Sequence, residues 1–255
     1  METLIKAPWE TRCLGREGFM LNGAFLPVFD MQTLSKEIAR ARDEHGNIFI
    51  SVRVPKQYHA LIPAIQREGF YFVEQTLDPY LALQKSDVLK RFNADPMSFI
   101  PSRHRDKNLR VIAMDKNDAV LQSQVMECAR GSFSDDRFHM DPNCPRELAD
   151  LRFFNWARDL ISDPGVMIYI AMIGEDVVGF LAQKQDQLIL AGFKQQFARS
   201  GLGDFLWLST LSNMMAHGFD CVNTRISTNN TAVLNLYARL GFKFKNPASM
   251  FHYWG

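Results

Sequence analysis

The sequence contains no cysteine pair at the spacing of a zinc or redox motif. Its four cysteines are widely separated and have no paired histidines beside them, so we expect free thiols, without disulfides or zinc. Asp135 and Asp136 are neighbouring carboxylates, but no third ligand stands near them, so we expect no metal. The cysteines are Cys13, Cys128, Cys144 and Cys221.

A charge imbalance and a long apolar run are also missing. The 29 Lys and Arg residues nearly balance the 28 Asp and Glu residues, which argues against a nucleic-acid partner held by bulk positive charge. No apolar run approaches the roughly 20 residues of a membrane span, and residues 1–6 lack the apolar core of a signal peptide. We therefore expect a cytoplasmic protein without nucleic-acid or membrane partners.

The most informative stretch is a glycine turn between two apolar segments. Residues 187–193 are typical of a buried strand, and residues 205–215 carry apolar side chains at helical spacing. The turn between them, Arg-Ser-Gly-Leu-Gly at 199–203, would present N–H groups to a phosphate at the positive end of the helix. The lysine of a P-loop is absent, and Leu206 replaces the third glycine of a dinucleotide fingerprint. The turn indicates phosphate binding, with a plain tight turn as the alternative.

A second motif lies near the C-terminus. Residues 221–226 predict a strand, and Asn229, Asn230 and Thr231 predict the start of a helix. An Asn at 230 is followed by a Tyr seven residues later and by Gly-Phe four residues after that. This spacing resembles the C-terminal motif of the GCN5-related N-acetyltransferase (GNAT) family, and the glycine turn resembles the family's acyl-CoA pyrophosphate loop. One departure is Ala198, where that loop usually opens with Arg or Gln.

The resemblance covers roughly the last 150 residues and implies an α/β fold with a mixed, mostly antiparallel sheet flanked by helices. The rest of this region predicts the family's element order, β-α-α-β-β-β-α-β-α-β. The expected elements are a strand at 109–113, helices at 118–129 and 148–161 joined by a loop at 131–142, and a hairpin of 167–171 with 177–182.

The first half of the chain echoes the end of the second. At an offset of 172 positions, Arg53 falls on Arg225 and Gly69-Phe70 falls on Gly241-Phe242, with no gap. The copy has no glycine turn before it, and Ile65 stands where the second half has Tyr237. We interpret the first half as a degenerate half-GNAT that shapes a substrate wall and does not bind acyl-CoA. Convergence between two similar strand-helix-strand units is the alternative.

These patterns predict an N-terminal α/β domain at 1–95, a linker at 96–107 with a helix at 88–92 before it, and a catalytic GNAT domain at 108–255. An exposed terminal strand ending at 251–254 would allow edge-to-edge pairing in a homodimer. Within the first half, we expect extended segments over 1–30, helices at 34–44 and 58–68, and strands at 47–54 and 70–83.

A finer resemblance is to the two-domain nucleotide-sugar amine N-acyltransferases, typified by the enzyme that acetylates dTDP-4-amino-4,6-dideoxygalactose. The similar features are the Asp-Arg-Phe-His loop at 136–139, the Asn-Thr-Ala run at 230–232 and the chain end at 252–254. The resemblance implies acetyl-CoA or a short hydroxyacyl-CoA as cosubstrate, without a metal. It also implies a nucleotide-linked aminodeoxysugar such as a dTDP-sugar as acceptor, in lipopolysaccharide or O-antigen biosynthesis.

Acyl transfer to an amine needs held phosphates, a polarised carbonyl and a proton for the departing thiolate. Tyr237 stands at the family's tyrosine position, and a phenol with a pKa of about 10 is protonated at neutral pH, so we expect it to be the acid. Core packing is its alternative. His139 is the candidate base, with a hydrogen-bonding or surface role as the alternative. A strand N–H near 190–191 is expected to polarise the carbonyl.

The predicted binding residues form two sets, one for acyl-CoA and one for the acceptor. Asn230 is equally well explained as a helix cap, and core packing is the alternative for Phe138 and Trp156. The acyl-CoA set is Leu190, Ala191, Phe193, Arg199, Ser200, Gly201, Leu202, Gly203, Asp204 and Asn230. The acceptor set is Arg137, Phe138, His139, Trp156, Asn229, His252 and Tyr253.

Two other functions stay open. One is acylation of a protein or peptide amine, or of a small-molecule amine such as an antibiotic. The near-neutral charge shows no acidic patch of the kind that would favour a polyamine or an aminoglycoside. The other is a non-catalytic module that binds acyl-CoA without turning it over.

Overall fold

The computed structural model describes residues 2–130 and 132–255. Gly131, which opens the predicted loop, lies outside the described residues, as does Met1. The strands are β1 (Leu4–Lys6), β2 (Glu17–Leu21), β3 (Ile48–Pro55), β4 (Tyr71–Ala82), β5 (Leu109–Ala113), β6 (Met167–Ile173), β7 (Asp176–Lys184), β8 (Gln187–Phe193), β9 (Cys221–Asn223), β10 (Ile226–Ser227) and β11 (Lys243–Trp254). The helices are α1 (Pro8–Leu14), α2 (Met31–His45), α3 (Ile62–Arg67), α4 (Asp87–Ala94), α5 (Ala119–Ala129), α6 (Arg146–Ser162), α7 (Leu202–Ala216) and α8 (Thr231–Arg239).

All of these strands join one sheet, in the order β1-β2-β3-β11-β4-β9-β8-β7-β6-β5, with β10 paired to β4. Within the described residues, the parallel pairs are β2 with β3 and β8 with β9, and the other pairs are antiparallel. This arrangement confirms the predicted α/β class and the mostly antiparallel sheet. The element order of the second half is also as predicted, except that the single strand expected at 221–226 is divided into β9 and β10.

Strands β4 and β11 are exchanged between the two halves. The second half contributes β11, which pairs with β3, and the first half contributes β4, which pairs with β9 and β10. Ser51 lies opposite His252. Adding 172 to the number of Ser51 gives Asn223, and subtracting 172 from that of His252 gives Tyr80. These two residues also lie opposite each other. The register therefore confirms the internal repeat inferred from the sequence.

The exchange places the terminal strand inside the sheet. Thr76 pairs with Ala248, and because these two residues are themselves 172 positions apart, they mark a local two-fold axis. From Ala248 to His252, β11 is paired with β3 on one side and with β4 on the other. The expectation of an exposed terminal strand is therefore wrong, because two neighbours take up the backbone groups that an edge strand would leave free.

Helices cover both faces of the sheet. Helices α2, α3, α7 and α8 pack on one face, which we call the Tyr237 face. Helices α1, α5 and α6 pack on the other, which we call the His252 face. Side chains alternate between the faces along each strand, so His252 and Trp254 lie on one face and Phe251 and Tyr253 on the other.

Two local predictions for the first half need correction. The extended segments expected over 1–30 are interrupted by α1, which docks on α6: the Trp9 indole donates to Asp159 at 3.2 Å, and Arg152 Nε lies 3.4 Å from Glu10. These partners are more than 140 positions away in sequence, so the local pattern does not reveal them. The helix expected over 58–68 divides into a 3-10 turn, Lys56–Leu61, and the short α3.

The segment 96–107 contains two short 3-10 turns, Pro96–Phe99 and Ser102–His104. Ile100 and His104 are 2% and 4% exposed, so this segment is anchored by buried side chains. The domain boundaries stay a prediction, because β4 and β11 tie the two halves into one sheet. Among the helices of the described residues, none combines the length and the apolar character needed to cross a bilayer.

Candidate active site

The parallel neighbours β8 and β9 are paired at one position only. Gln187 lies opposite Asn223, where β9 ends, while β8 continues to Phe193. On its other side, β8 stays paired with β7 up to Phe193. The β8 backbone is therefore open toward β9 over most of its length, apart from the Leu188 carbonyl, which accepts the Thr224 hydroxyl at 2.8 Å. An open strand edge of this kind can bind an extended amide chain or polarise a carbonyl.

The glycine turn leads from this opening into α7. Gly201 is the N-cap with φ of 80°, and Arg199 also adopts the left-handed region with φ of 58°. No side chain caps α7, and the nearest approach is the Ser200 hydroxyl, 3.4 Å from the Leu202 N–H. Free N–H groups at the positive end of a 15-residue helix fit an anion such as the pyrophosphate of acyl-CoA.

The phenol of Tyr237 lies in the core beside this helix. Its side chain is 2% exposed and packs edge-on against Trp207 of α7 and Phe242, with ring centroids 6.2 and 4.6 Å away. Burial raises the pKa of Tyr237 to about 12, against the opposing effect of Trp207 and Thr224. The phenol therefore keeps its proton at neutral pH.

The neighbouring Trp207 indole N–H is buried and lies close enough to the Tyr237 phenol to lower its pKa, but it makes no well-formed hydrogen bond within the described residues. An unpaired donor in apolar surroundings is costly unless a polar group meets it. The uncapped start of α7 and the open edge of β8 offer N–H groups of the kind that the phosphates and the amide arm of acyl-CoA would need. Bound there, acyl-CoA would supply an activated acyl group.

The other predicted acyl-CoA residues surround the opening. Leu190 is buried, Ala191 and Phe193 are half-buried, and the Phe193 ring stacks on Trp207 at 6.5 Å. A groove of about 480 Å³ lies beside the residues that come directly after β8, and Tyr237 is not among its described lining residues. The groove is lined by Glu127, Arg130, Lys194, Gln195 and Gln196.

The remaining residues of the predicted acyl-CoA set lie near the starts of α7 and α8. Asp204 pairs with Arg239 of α8 at 2.7 Å, which ties the two helices of the opening together. A Cβ placed at Gly203 would meet Leu236 at 3.6 Å, an ordinary contact. The Asn230 side chain accepts the Val233 N–H at 3.0 Å, so it caps α8. Asn229 is exposed beside it.

A buried polar network lies on the His252 face. The Asp141 carboxylate accepts hydrogen bonds from the Tyr71 hydroxyl at 2.6 Å, the His252 Nδ1 at 2.6 Å and the Trp254 indole at 2.8 Å. Burial lowers the pKa of His252 to about 4, so the imidazole is neutral at pH 7. Burial works to raise the pKa of Asp141, but the hydrogen bonds from His252 and Tyr71 hold it below its usual value.

Two arginines join this network to α1. The Arg137 guanidinium pairs with Glu10 and lies 3.4 Å from His252 Nε2, and Arg152 Nε is 3.4 Å from Glu10. Burial acts to raise the pKa of Glu10, but Arg137 and Arg152 hold it below its usual value. The structure thus brings Arg137 and His252 together, and it already pairs Arg137 with a carboxylate.

His139 also lies between carboxylates. One ring nitrogen contacts Asp136, and the other is 3.0 Å from Asp150. Burial acts to lower the pKa of His139, but hydrogen bonds to Asp136 and Asp150 raise it above its ordinary value. Both ring nitrogens contact carboxylates, so His139 would have to give up one of these contacts to accept an amine proton, and its role as the base stays a prediction. Within residues 2–130 and 132–255, no group of three or more His, Cys, Asp or Glu residues could hold a metal ion.

The three aromatic members of the acceptor set do not share one pocket. Phe138 is fully buried, with its ring 5.7 Å from Phe49. Trp156 packs edge-on against Trp9 at 6.1 Å. Tyr253 lies on the Tyr237 face, where its ring packs against Phe70.

Glu74 of β4 is a candidate functional residue that the sequence motifs do not include. It is 6% exposed, and its Oε2 has no hydrogen-bond partner among the described residues. Burial raises the pKa of Glu74 above its usual value, against the opposing effects of Ser227 and Arg137. It faces the His252 side of β4 beside β10, opposite the side where Tyr237 lies. A single acidic residue in the run Phe-Tyr-Phe-Val-Glu was the available signal in the sequence.

Comparisons with known proteins support the fold. No family model matches the chain. The spore coat polysaccharide biosynthesis protein SpsD of Bacillus subtilis is 24% identical over 254 residues, covering 96% of this chain and 81% of that protein. A GCN5-related N-acetyltransferase from Sphaerobacter thermophilus superposes with a TM-score of 0.61 at 10% identity, covering 98% of this chain and 75% of that one.

A tandem GNAT protein from the clavulanic acid biosynthesis pathway superposes with a TM-score of 0.59 at 12% identity, covering 88% of this chain and 69% of that one. At these identities the likeness concerns architecture. The chain therefore has the GNAT fold, and its solved structural neighbours include GCN5-related N-acetyltransferases.

Proposed function

We propose that the chain is an N-acyltransferase that moves an acetyl or short hydroxyacyl group from acyl-CoA to the amine of a nucleotide-linked aminodeoxysugar. The observation that carries this proposal is the opening between β8 and β9, with the uncapped start of α7 at its end and the Tyr237 phenol beside it. The GNAT fold and the two sequence motifs support the same assignment.

The reaction joins the amine nitrogen to the thioester carbonyl carbon and breaks the bond from that carbon to sulfur. The amine loses one proton, and the thiolate gains one. Tyr237 is protonated at neutral pH and donates to the thiolate. Glu74 has an unpaired Oε2 on the opposite face, and in its ionised form it accepts the proton that the amine loses. Because the new bond and the broken bond meet at one carbon, the proposal places the thioester carbonyl in the opening between β8 and β9, which both faces of the sheet adjoin.

The acceptor class is supported by similarity in sequence. SpsD is named for polysaccharide biosynthesis, and the loop 136–139 and the chain end resemble nucleotide-sugar amine N-acyltransferases. We place the enzyme in the cytoplasm, in a pathway that builds surface polysaccharide from dTDP-sugars or related nucleotides.

A thiol-release assay with acetyl-CoA tests the assignment. The acceptor panel contains dTDP-linked aminodeoxysugars, an aminoglycoside, a polyamine and a peptide with a free N-terminus. We expect release of CoA only with the sugar nucleotides. Release with the peptide or the aminoglycoside alone would contradict the acceptor class, and failure to bind CoA in calorimetry would contradict the acyl-CoA assignment.

A second candidate is a non-catalytic acyl-CoA-binding module. The observation that favours it is the packing of Tyr237 in the apolar core, where it is 2% exposed. This candidate predicts CoA binding without thiol release for every acceptor in the panel.

A further inference from the structure

A cleft of about 800 Å³ lies where the two halves meet, and we call it the junction cleft. It is built from the end of β3 and the turn after it, from β4, and from residues next to β10 and within β11. Its lining residues are Arg53, Pro55, Lys56, Gln57, His59, Asp78, Arg225, Asn246 and Pro247.

Positive charge exceeds negative charge in this cleft. Arg225 Nε lies 2.8 Å from an Asp78 oxygen, and Arg53 Nη2 lies 3.5 Å from the other oxygen. The two guanidinium groups therefore share the single Asp78 carboxylate. Lys56 is exposed and forms no salt bridge within the described part of the chain. A concave site with surplus positive charge attracts anions.

The guanidinium groups are held in place before any ligand arrives. Arg53 Nε lies 3.3 Å from the Thr76 hydroxyl, and its Nη2 donates to the Asn246 carbonyl at 2.9 Å. Arg53 and Arg225 are equivalent under the 172-residue repeat, so the two-fold axis brings the same residue from each half to one place. Fixed, planar guanidinium groups match the paired oxygens of phosphate.

The cleft also lies next to the proposed amine site. Arg53 contacts Thr76, and Glu74 is two residues before Thr76 on the same face of β4, which corresponds to about 7 Å along a strand. This is comparable to the width of one hexose ring with its substituents. An anion beside Arg53 would therefore be one sugar away from the unpaired Oε2 of Glu74.

We propose that the junction cleft binds the diphosphate group of the acceptor sugar nucleotide and thereby directs the sugar amine to Glu74. This proposal rests on the proposed function for its choice of acceptor. The anion binding itself can be measured without any turnover. Arg53 and Arg225 contact the phosphate oxygens, and Lys56 lies at the exposed rim.

The test is calorimetric titration of the full-length protein with inorganic pyrophosphate, dTDP and CoA. Arg225→Gln is expected to weaken pyrophosphate and dTDP binding on the order of tenfold, as for loss of a hydrogen bond to a charged group, and Lys56→Gln is expected to weaken it by a smaller factor, as for an exposed charge at the rim. CoA binding should stay unchanged. The matched controls are Lys36→Gln and Arg40→Gln on α2, which remove the same charges outside the cleft.

Equal pyrophosphate and dTDP affinity in the wild type and both cleft variants would overturn the proposal. Loss of CoA binding in the cleft variants, with dTDP binding intact, would also overturn it, because the cleft would then serve the phosphates of CoA. Failure of the proposed function has a different signature, since CoA would not bind to the wild-type protein at all.

Discussion

The two parallel strand pairs of the sheet, β2 with β3 and β8 with β9, occupy equivalent places in the two halves but are paired to different extents. In the first half, the ladder joins four positions, from Glu17 opposite Ile48 to Met20 opposite Ser51. In the second half, it joins only Gln187 with Asn223. A closed ladder uses the backbone groups that an open one leaves available for a ligand.

The helices that follow the first strand of each pair, α2 and α7, differ in whether a side chain caps their first turn. Helix α2 is capped by the Asp30 carboxylate, which accepts the Thr33 N–H at 2.8 Å, whereas α7 begins at Gly201 without a side-chain cap. A carboxylate at the positive end of a helix satisfies the free N–H groups and repels a second anion. The proposed phosphate site therefore depends on the open ladder and the uncapped helix of the second half, and the repeated scaffold alone does not provide it.

The largest expected effect is on the free energy of unfolding and concerns the hydrophobic core to which both halves contribute. Phe251 belongs to β11 but is 1% exposed in the core of the first half. Phe251→Ala should lower the free energy of unfolding by about 3–5 kcal/mol, because it leaves a cavity. Since β4 and β11 are exchanged, we expect a single transition in urea, followed by circular dichroism and tryptophan fluorescence. Phe244→Ala, at a position 37% exposed on the same strand, is the control with a small effect. Two separate transitions would contradict the shared core.

The next prediction concerns pH. The folded protein holds the pKa of His252 at about 4, so between pH 6.5 and pH 4 the unfolded chain binds a proton that the folded protein does not. Stability from this residue is present above pH 6.5 and is lost as the pH falls toward 4, by roughly 3 kcal/mol. Urea titrations across this range measure the loss, and His252→Gln should flatten it. An unchanged slope in His252→Gln, with His59→Gln as the exposed control, would show that other groups cause it.

A smaller effect, on kcat, is expected to distinguish Tyr237 from Ile65, which occupy equivalent core positions in the two repeats. Tyr237 and Ile65 are 2% and 0% exposed, so both pack a core, but only Tyr237 carries a proton donor. Tyr237→Phe should lower kcat by at least about tenfold with little change in KM, as expected for a general acid. Ile65→Val should leave kcat unchanged and cost about 1 kcal/mol of stability. Steady-state kinetics with acetyl-CoA distinguishes these outcomes, and equal kcat in Tyr237→Phe and the wild type would assign Tyr237 to packing alone.

The smallest effect tests the difference between the helix caps. Gly201→Asp places a negative charge at the start of α7, where α2 has Asp30, and should weaken CoA binding about tenfold. Gly201→Asn has nearly the same shape, tolerates positive φ and lacks the charge, so it is the matched control. Both variants meet Pro101, which would lie 3.1 Å from an added Cβ, so the difference between them isolates the charge. Equal CoA affinity in the two variants would remove the anion assignment.

The sequence predicted much of the fold because the relevant signals are local. The apolar run before the glycine turn, the Asn230 cap and the spacing of Tyr237 each report on neighbours within a few turns of chain. Glu74 and α1 were missed for the opposite reason. Glu74 faces groups contributed by the second half of the chain, and α1 is stabilised by α6 more than 140 positions away.

By itself, the sequence determined the order of the elements and the glycine turn, because propensity, periodicity and spacing depend on residues that are close in the chain. It also revealed the 172-residue repeat, because that inference needs only a comparison of residue types at a fixed offset. The tertiary structure alone decided that β4 and β11 change places, that β8 and β9 separate, and that Arg53 and Arg225 share Asp78. Strand pairing between distant segments is set by how the whole sheet satisfies its hydrogen bonds and buries its faces, and no local pattern encodes that choice.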